Sequence, residues 1–466
     1  MKAMNMKKTI IFAAAALLMG SCGLYNKYER PEVNTKGLIR DVASSTDTLV
    51  VTNTDSNFGD MPWRTLFTDA MLQQHIQQAL EHNTDLLNAA LNVQAAEAQL
   101  KASKLAFLPS LTFAPQGTLA SFDWNSPAKT YSLPVQASWN VDLFGQLLSS
   151  KRSTQMQMLM AKDYQVAVQT GIVCNVANMY YTLMMLDRQL QIVTDMSALM
   201  KDTWDMMKLQ MELGRTRSTS VQSAESRYYG ALAQAEDLKR QIRETENSFC
   251  LLLGEPAHQV ARTTLEEQSM PSSFATGVGI QLLTNRADVH AAEMQLASCF
   301  YDIQTARSRF YPQLNITGAL GFTNNSGAGI VNPGKFLANV VGQLTQPIFA
   351  RGQIIAGLKV AKDKYEQAYN NWQNAIYKAG NEVSNALSSY NAYADKDVLD
   401  AKRVAVLKQN VVDTRKLMES SSNTTYLEVI SAQSTLLNAE INEVTDQFSK
   451  MQSVVNLYQA LGGGAK

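Results

Sequence analysis

Tyr131-Ser132-Leu133-Pro134-Val135-Gln136-Ala137-Ser138-Trp139-Asn140-Val141 places its apolar side chains at every second residue. Tyr131, Leu133, Val135, Ala137, Trp139 and Val141 fall on one side, and Ser132, Pro134, Gln136, Ser138 and Asn140 on the other. A period of two belongs to a strand with one apolar face. Leu314, Ile316, Gly318, Leu320 and Phe322 repeat the pattern against Asn315, Thr317, Ala319, Gly321 and Thr323. Phe336, Ala338, Val340, Gly342 and Leu344 repeat it less cleanly, because Leu337 and Val341 stand among their polar neighbours. Residues 111–121 make a weaker fourth strand with Pro115 and Gly117 inside it. Ser126-Pro127, Asn324-Asn325-Ser326-Gly327 and Asn332-Pro333-Gly334 separate the strands. Segments of about ten residues with one apolar face mark a transmembrane β-barrel. The same alternation describes an ordinary half-buried hairpin, which is the simpler reading of the strands alone.

Around the strands the period changes. No proline falls between 135 and 255 or after 347, although the chain holds 11. Proline costs roughly 3 kcal/mol inside a helix, so both stretches are free to be helical almost throughout. Ile172, Val176, Met179, Leu183, Leu186, Leu190, Val193, Ser197, Met200, Trp204, Met207 and Met211 alternate spacings of four and three. Leu437, Ile441, Val444, Phe448, Met451, Val455 and Tyr458 do the same. A sustained repeat of about 3.5 residues predicts coiled-coil packing, and a methionine-rich stripe of this kind reads as packing rather than as a metal box. A helix over 150–210 reaches about 90 Å at 1.5 Å per residue. Gly214 and Ser420-Ser421-Ser422 are the expected turns.

The chain also repeats itself. Asn83-Thr84-Asp85-Leu86 recurs as Arg286-Ala287-Asp288-Val289, and Phe107-Leu108-Pro109 as Phe310-Tyr311-Pro312, both at an offset of 203. Asp142-Leu143-Phe144 aligns with Pro347-Ile348-Phe349 at 205, and Leu253-Gly254 with Leu461-Gly462 at 208. Ordered matches with a slowly drifting offset predict two similar halves. The expected layout is a signal over 1–21, an extended segment over 22–62, a first repeat over 63–255, a linker over 256–280 and a second repeat over 281–466. The strand pairs fall at about 111–141 and 313–348.

Lys2, Lys7 and Lys8 precede the apolar run Ile10 to Leu18, and Met19-Gly20-Ser21-Cys22 follows. A basic start, a short apolar core and small residues before a cut describe a secretory signal. The cysteine makes it resemble a bacterial lipoprotein signal, which implies cleavage before Cys22 and acylation there; the alternative is an ordinary signal with an incidental cysteine. Cys174, Cys250 and Cys299 lie in helical pattern and are expected to be buried thiols. The 466 residues carry 41 Lys+Arg against 41 Asp+Glu, with no basic cluster to suggest nucleic acid. Beyond the signal, no apolar run is long enough for a spanning helix. Composition therefore excludes the helical route through a membrane and leaves the β route open.

A secreted lipoprotein with two amphipathic hairpins and very long helices calls for an assembly. Open sheet edges are not tolerated in lipid, and four strands cannot close alone. Two copies give eight strands with a filled interior; three give twelve and room for a channel.

The chain resembles the outer-membrane efflux proteins of the TolC family, in their lipidated (NodT-like) branch. The resemblance rests on Tyr28-x-Arg30-Pro31, Trp63-x-x-Leu66-Phe67-x-Asp69, Ala79-Leu80-x-x-Asn83-x-Asp85-Leu86 and Asp142-Leu143-Phe144-Gly145. Arg286-Ala287-Asp288-Val289-x-Ala291-Ala292-Glu293, Phe310-Tyr311-Pro312 and Tyr426-Leu427-x-Val429-x-x-Ala432-Gln433 complete it. It implies a mainly α fold with β: a homotrimer whose twelve-stranded outer-membrane barrel, four strands per chain, continues into a periplasmic α-helical barrel. It also implies a passive exit duct of a tripartite pump, with a periplasmic adaptor (membrane fusion) protein and an inner-membrane transporter of the resistance-nodulation-division type as partners. Outer-membrane lipid is the expected environment, and neither a cofactor nor nucleic acid is expected.

By the same resemblance the periplasmic tips lie near Leu213-Gly214 and Ser422-Asn423-Thr424, with Gly214, Ser422 and Thr424 as adaptor contacts. Ser422 stands where relatives commonly have glycine, and no carboxylate is present at Thr424, where relatives narrow the entrance with aspartate. Glu419 and Glu428 are the nearest acids; both read first as a solvated helix face, and as entrance charges second.

Enzyme chemistry finds no footing. Glu255-Pro256-Ala257-His258 has a di-metal spacing, but the internal proline forbids the helix that would align both ligands. His290-x-x-Glu293 runs in the reverse order and occurs once. The two functions left are the export duct and a lipid-anchored periplasmic scaffold or adaptor without a pore. The hairpins discriminate, since a scaffold needs no strands with apolar outer faces.

Overall fold

A computed structural model describes residues 26–32, 38, 58–121, 127–271, 286–324, 334–420 and 426–464. Cys22, Ser422 and Thr424 lie outside the described residues. The helices are α1 (Ala70–His82), α2 (Thr84–Leu105), α3 (Gln146–Glu212), α4 (Ser218–Leu253), α5 (Ala287–Ser308), α6 (Gln353–Ser420) and α7 (Tyr426–Ala460). The strands are β1 (Ser110–Phe113), β2 (Gln116–Ala120), β3 (Ala128–Val141), β4 (Gln313–Thr323) and β5 (Lys335–Thr345).

The repeat is physical. Helices α2 and α5 both have 22 residues, α3 and α6 have 67 and 68, and α4 and α7 have 36 and 35. Most of the offset drift accumulates between strand and long helix, where 142–145 in the first half becomes 346–352 in the second. Helices α4 and α7 end alike. Gly254 (φ 79°) and Gly462 (φ 84°) take the left-handed conformation, and the following amides of Glu255 and Gly463 reach back to the carbonyls of Cys250 and Tyr458 at 2.9 and 2.8 Å. This is the Schellman arrangement, which satisfies the last carbonyls of a helix.

The chain separates into two compact units that cut across the repeats. One contains Leu91–Asp163 and His290–Asn374 together with the described part of Met1–Val33; the other contains Tyr164–Val289 and Ala375–Lys466 with the described part of Asn34–Ala90. The first unit holds the sheet. In the second, the seam on α3 is buried from Ile172 to Met207 except at Met179, Leu190 and Trp204, which are half-buried, while Met211 is exposed. The α7 seam is buried at Leu437, Val444, Val455 and Tyr458 and half-buried at Ile441, Phe448 and Met451. Tyr180, Tyr181, Leu183, Met184, Phe249 and Tyr458 fill the core of this unit. A second run on α3, Val173, Ala177, Tyr180 and Met184, is also buried, so α3 is packed on a wider face than a two-stranded seam requires. Cys174, Cys250 and Cys299 are buried and free, and burial pushes the Cys174 thiol up to about 12.

Candidate membrane sheet and helical tip

All five strands join one antiparallel sheet in the order β1-β3-β4-β5, with β2 also on β3. Phe113 pairs with Val135 and Gln116 with Ser132, so β1 and β2 keep one register across Ala114-Pro115. They act as a single interrupted strand, and the sheet has four ribbons, as the sequence predicts. The Ala114 amide donates to the Pro134 carbonyl at 3.1 Å. Backbone groups alternate direction along a strand, so those of residues 111, 113, 115, 117 and 119 point away from β3. At the other edge, those of 336, 338, 340, 342 and 344 point away from β4. Proline lacks a donor, so Pro115 leaves one outward-facing position on this edge without an N–H.

Pairing also assigns the faces. Phe113, Val135, Leu320 and Ala338 lie in one row, and Leu111, Ala137, Gly318 and Val340 in the next. This face is apolar yet open: Leu111 is 72%, Leu119 73% and Val340 80% exposed. The opposite face carries Thr112, Gln136, Ser138, Asn315, Thr317, Asn339 and Gln343. A sheet folding in water buries its apolar face; this one leaves it exposed, as a lipid-facing surface is. Ile348 and Phe349, just beyond β5, are almost fully exposed as well.

The described N-terminal residues are fastened within the same unit. Arg30 grips Glu293 with both arms, Nε to Oε1 at 2.8 Å and Nη2 to Oε2 at 2.6 Å. The Tyr28 amide donates to the Tyr301 hydroxyl at 3.2 Å, and its ring meets Phe300 edge-on. His290 takes a different partner, Asp163, at 2.7 Å, and that hydrogen bond raises its pKa. The histidine and glutamate of the reversed motif therefore serve two separate ion pairs.

In the other unit the linker after α4 is latched to the helices. Arg262 meets Asp187 at 2.5 Å and Glu246 at 2.6 Å. Asp69 caps α1 through the amides of Met71 and Leu72 and also accepts from Tyr180, Thr263 and Gln268. Burial alone would raise its pKa, but these donors outweigh it and hold the carboxyl below the ordinary range. His258 comes within 3.7 Å of Glu255 just past the helix end, where Pro256 keeps both off a helical face.

The tip is built from both hairpins. Gly214 (φ 69°) closes α3, with its amide on the Met211 carbonyl at 2.9 Å and the Arg215 amide on that of Gln210 at 2.8 Å. Space around Gly214 is open, so the backbone angle, not crowding, selects glycine there. Met207, Val221 and Ala224 of the first hairpin share a small core with Met418, Val429 and Ile430 of the second. Glu428 is exposed in the first turn of α7. Glu419 belongs to α6 by its backbone, and its side chain lies outside the described residues. The periodic pattern did not single out Leu209, Leu213, Arg215 and Arg217, which are all exposed here; their position beside Gly214 was the available signal.

A sheet with one apolar, exposed face and two open edges, joined to helices of up to 68 residues, is the arrangement of a β-type membrane protein. The chain belongs to the outer membrane efflux protein family, whose model matches residues 75–255 and 279–463. It is 26% identical over 460 residues to the cation efflux system protein CusC of Escherichia coli O157:H7, covering 98% of each chain. It is 25% identical over 472 residues to the probable efflux pump outer membrane protein TtgC of Pseudomonas putida, covering 98% of this chain and 96% of that one. A solved structure of CusC matches with a TM-score of 0.82 at 24% identity, over 94% of this chain and 99% of that one. The open MtrE outer membrane channel of Neisseria gonorrhoeae matches with 0.83 at 23%, over 95% and 98%. The chain is thus an efflux protein of the outer membrane.

Proposed function

We propose that three copies form the passive exit duct of a tripartite efflux pump. The observation that carries this reading is the sheet: its apolar face needs lipid, and its two edges need partners that the chain does not supply. The four strands alternate direction, so β5 of one copy meets the β1–β2 edge of the next antiparallel. Three copies give twelve strands, wide enough for an open lumen with the polar face inward. Exposed Leu399, Val406 and Leu417 on α6 are spaced seven and eleven residues apart, two and three turns, and support helix contacts between copies. A scaffold that never enters the membrane leaves the apolar face unexplained.

Cys22 is the proposed acylation site. It lies six residues before Tyr28, so the tether reaches at most about 20 Å from the docked segment. Gly214, Ser422 and Thr424 are proposed to meet the adaptor protein, and Glu419 and Glu428 are candidate entrance charges. The inner-membrane transporter is taken to be of the resistance-nodulation-division type. Relatives at nearly equal identity carry names for cation and toluene efflux, which fits a duct whose cargo is chosen by the transporter. The test is reconstitution of the purified protein in a planar bilayer. Discrete conductance steps are expected; a protein that inserts and never conducts contradicts the duct.

A further inference from the structure

The sheet's polar face has a composition that bears on what the duct prefers to pass. Across the described strands the charged side chains are Lys129 and Lys335, and none is acidic. Lys129 pairs with Leu119, a residue of the apolar face. Lys335 pairs with Thr323 and shares the face of Thr317, Asn339 and Gln343. That face is otherwise built of hydroxyls, amides and small or apolar residues such as Ala319 and Leu337. Lys335 is exposed and stands at the end of the sheet where the β4–β5 hairpin turns, away from the connections to α3 and α6.

We infer that Lys335 gives the outer mouth of the duct a preference for anions. The inference rests on the pore reading above: with three copies closed into one barrel, Lys335 contributes a ring of three ammonium groups to a lumen wall whose described strands carry no acidic side chain. A ring of like charge in a confined lumen enriches the opposite ion, and lysine rings are the usual device of anion pores. Neutral walls of hydroxyl and amide groups neither reinforce nor cancel that field. Neutral and anionic solutes leave such a mouth with less electrostatic hindrance than cations do. Because the ring faces water, its reach is set by salt, and the Debye length falls from about 10 Å at 0.1 M to about 3 Å at 1 M.

The experiment uses the full-length protein in planar bilayers under a potassium chloride gradient. The reversal potential gives the chloride-to-potassium permeability ratio for wild type, Lys335→Gln and Lys335→Glu. The ratio is expected to fall from wild type to Lys335→Gln and to fall further, by more than about twofold, in Lys335→Glu. The difference among the three should shrink at 1 M salt, as screening requires, whereas a structural defect would persist. A ratio unmoved by either substitution, or raised by Lys335→Glu, overturns the inference while leaving the duct intact. Insertion without conductance by all three proteins removes the duct reading and this inference with it.

Discussion

Arg286 donates from Nη1 to the Ala460 carbonyl at 3.0 Å, and Asn83, one repeat earlier, donates from Nδ2 to the Leu252 carbonyl at 2.9 Å. The two links occupy equivalent places at offsets of 203 and 208. Each ties the residue before a 22-residue helix to the last turn of a returning long helix. The chemistry differs between them. Asn83 also caps α2 through the amides of Asp85 and Leu86, whereas Arg286 also holds Asp288 and Glu382, each at 2.7 Å.

Replacing Arg286 by alanine therefore strands the Ala460 carbonyl and removes the fork from two half-exposed carboxylates, while Asn83→Ala removes one cap and one link. The expected losses are about 2–3 kcal/mol for Arg286→Ala and about 1 kcal/mol for Asn83→Ala. Arg286→Lys should recover little, because an ammonium cannot reproduce the guanidinium fork. Thermal unfolding midpoints in detergent rank the three; equal midpoints for both alanine variants would contradict the assignment.

Position on the sheet should decide the tolerance of charge. Val340 lies on the apolar face and Asn339 on the polar one. Lysine on the lipid face costs about 2–4 kcal/mol near the bilayer centre. Val340→Lys should reduce assembly into vesicles, and Asn339→Lys should leave it near wild type. The reverse order would invert the two faces.

Acid should weaken the linker latch through Asp69. Its folded pKa lies below the unfolded value of about 3.9. Its contribution is therefore present above that value and is lost as pH falls through the folded pKa. Asp69→Asn should lower stability at neutral pH and converge with wild type in strong acid. Parallel stability curves across that window would count against the network.

His290 has the opposite sign. Its hydrogen bond to Asp163 raises the folded pKa above the ordinary value of about 6.5. The stabilisation is complete below that value and is lost as pH rises through the folded pKa. Asp163→Asn should abolish the dependence, measured by proton titration of the imidazole or by midpoints between pH 6 and 9.

At the tip, Gly214→Val places a β-branched residue at positive φ, a strain of about 1–2 kcal/mol. If this turn meets the adaptor, efflux in cells should fall while bilayer conductance of the isolated protein stays at the wild-type level. Joint loss of both would assign Gly214 to folding of the duct itself.

Much of this fold is legible in the sequence because its two periods are clean. The alternation at Tyr131–Val141 and Leu314–Thr323 gives both strands and both faces, since lipid and lumen impose the same period-two rule as a core and a solvent. The seam from Ile172 to Met207 is legible for the same reason, and it ends in exposed Met211, close to the end of α3. What pattern does not give is partnership between distant segments. Nothing in the spacing says that Arg286 reaches Ala460 or that Arg30 grips Glu293. Those depend on where the long helices return, a property of three dimensions and not of any local period.

The sheet is proposed to be one part of a shared barrel. Native mass spectrometry of the detergent-extracted protein tests it most directly. Three copies, and hence twelve strands, are expected. A monomer or a dimer, offering four or eight strands, would contradict it.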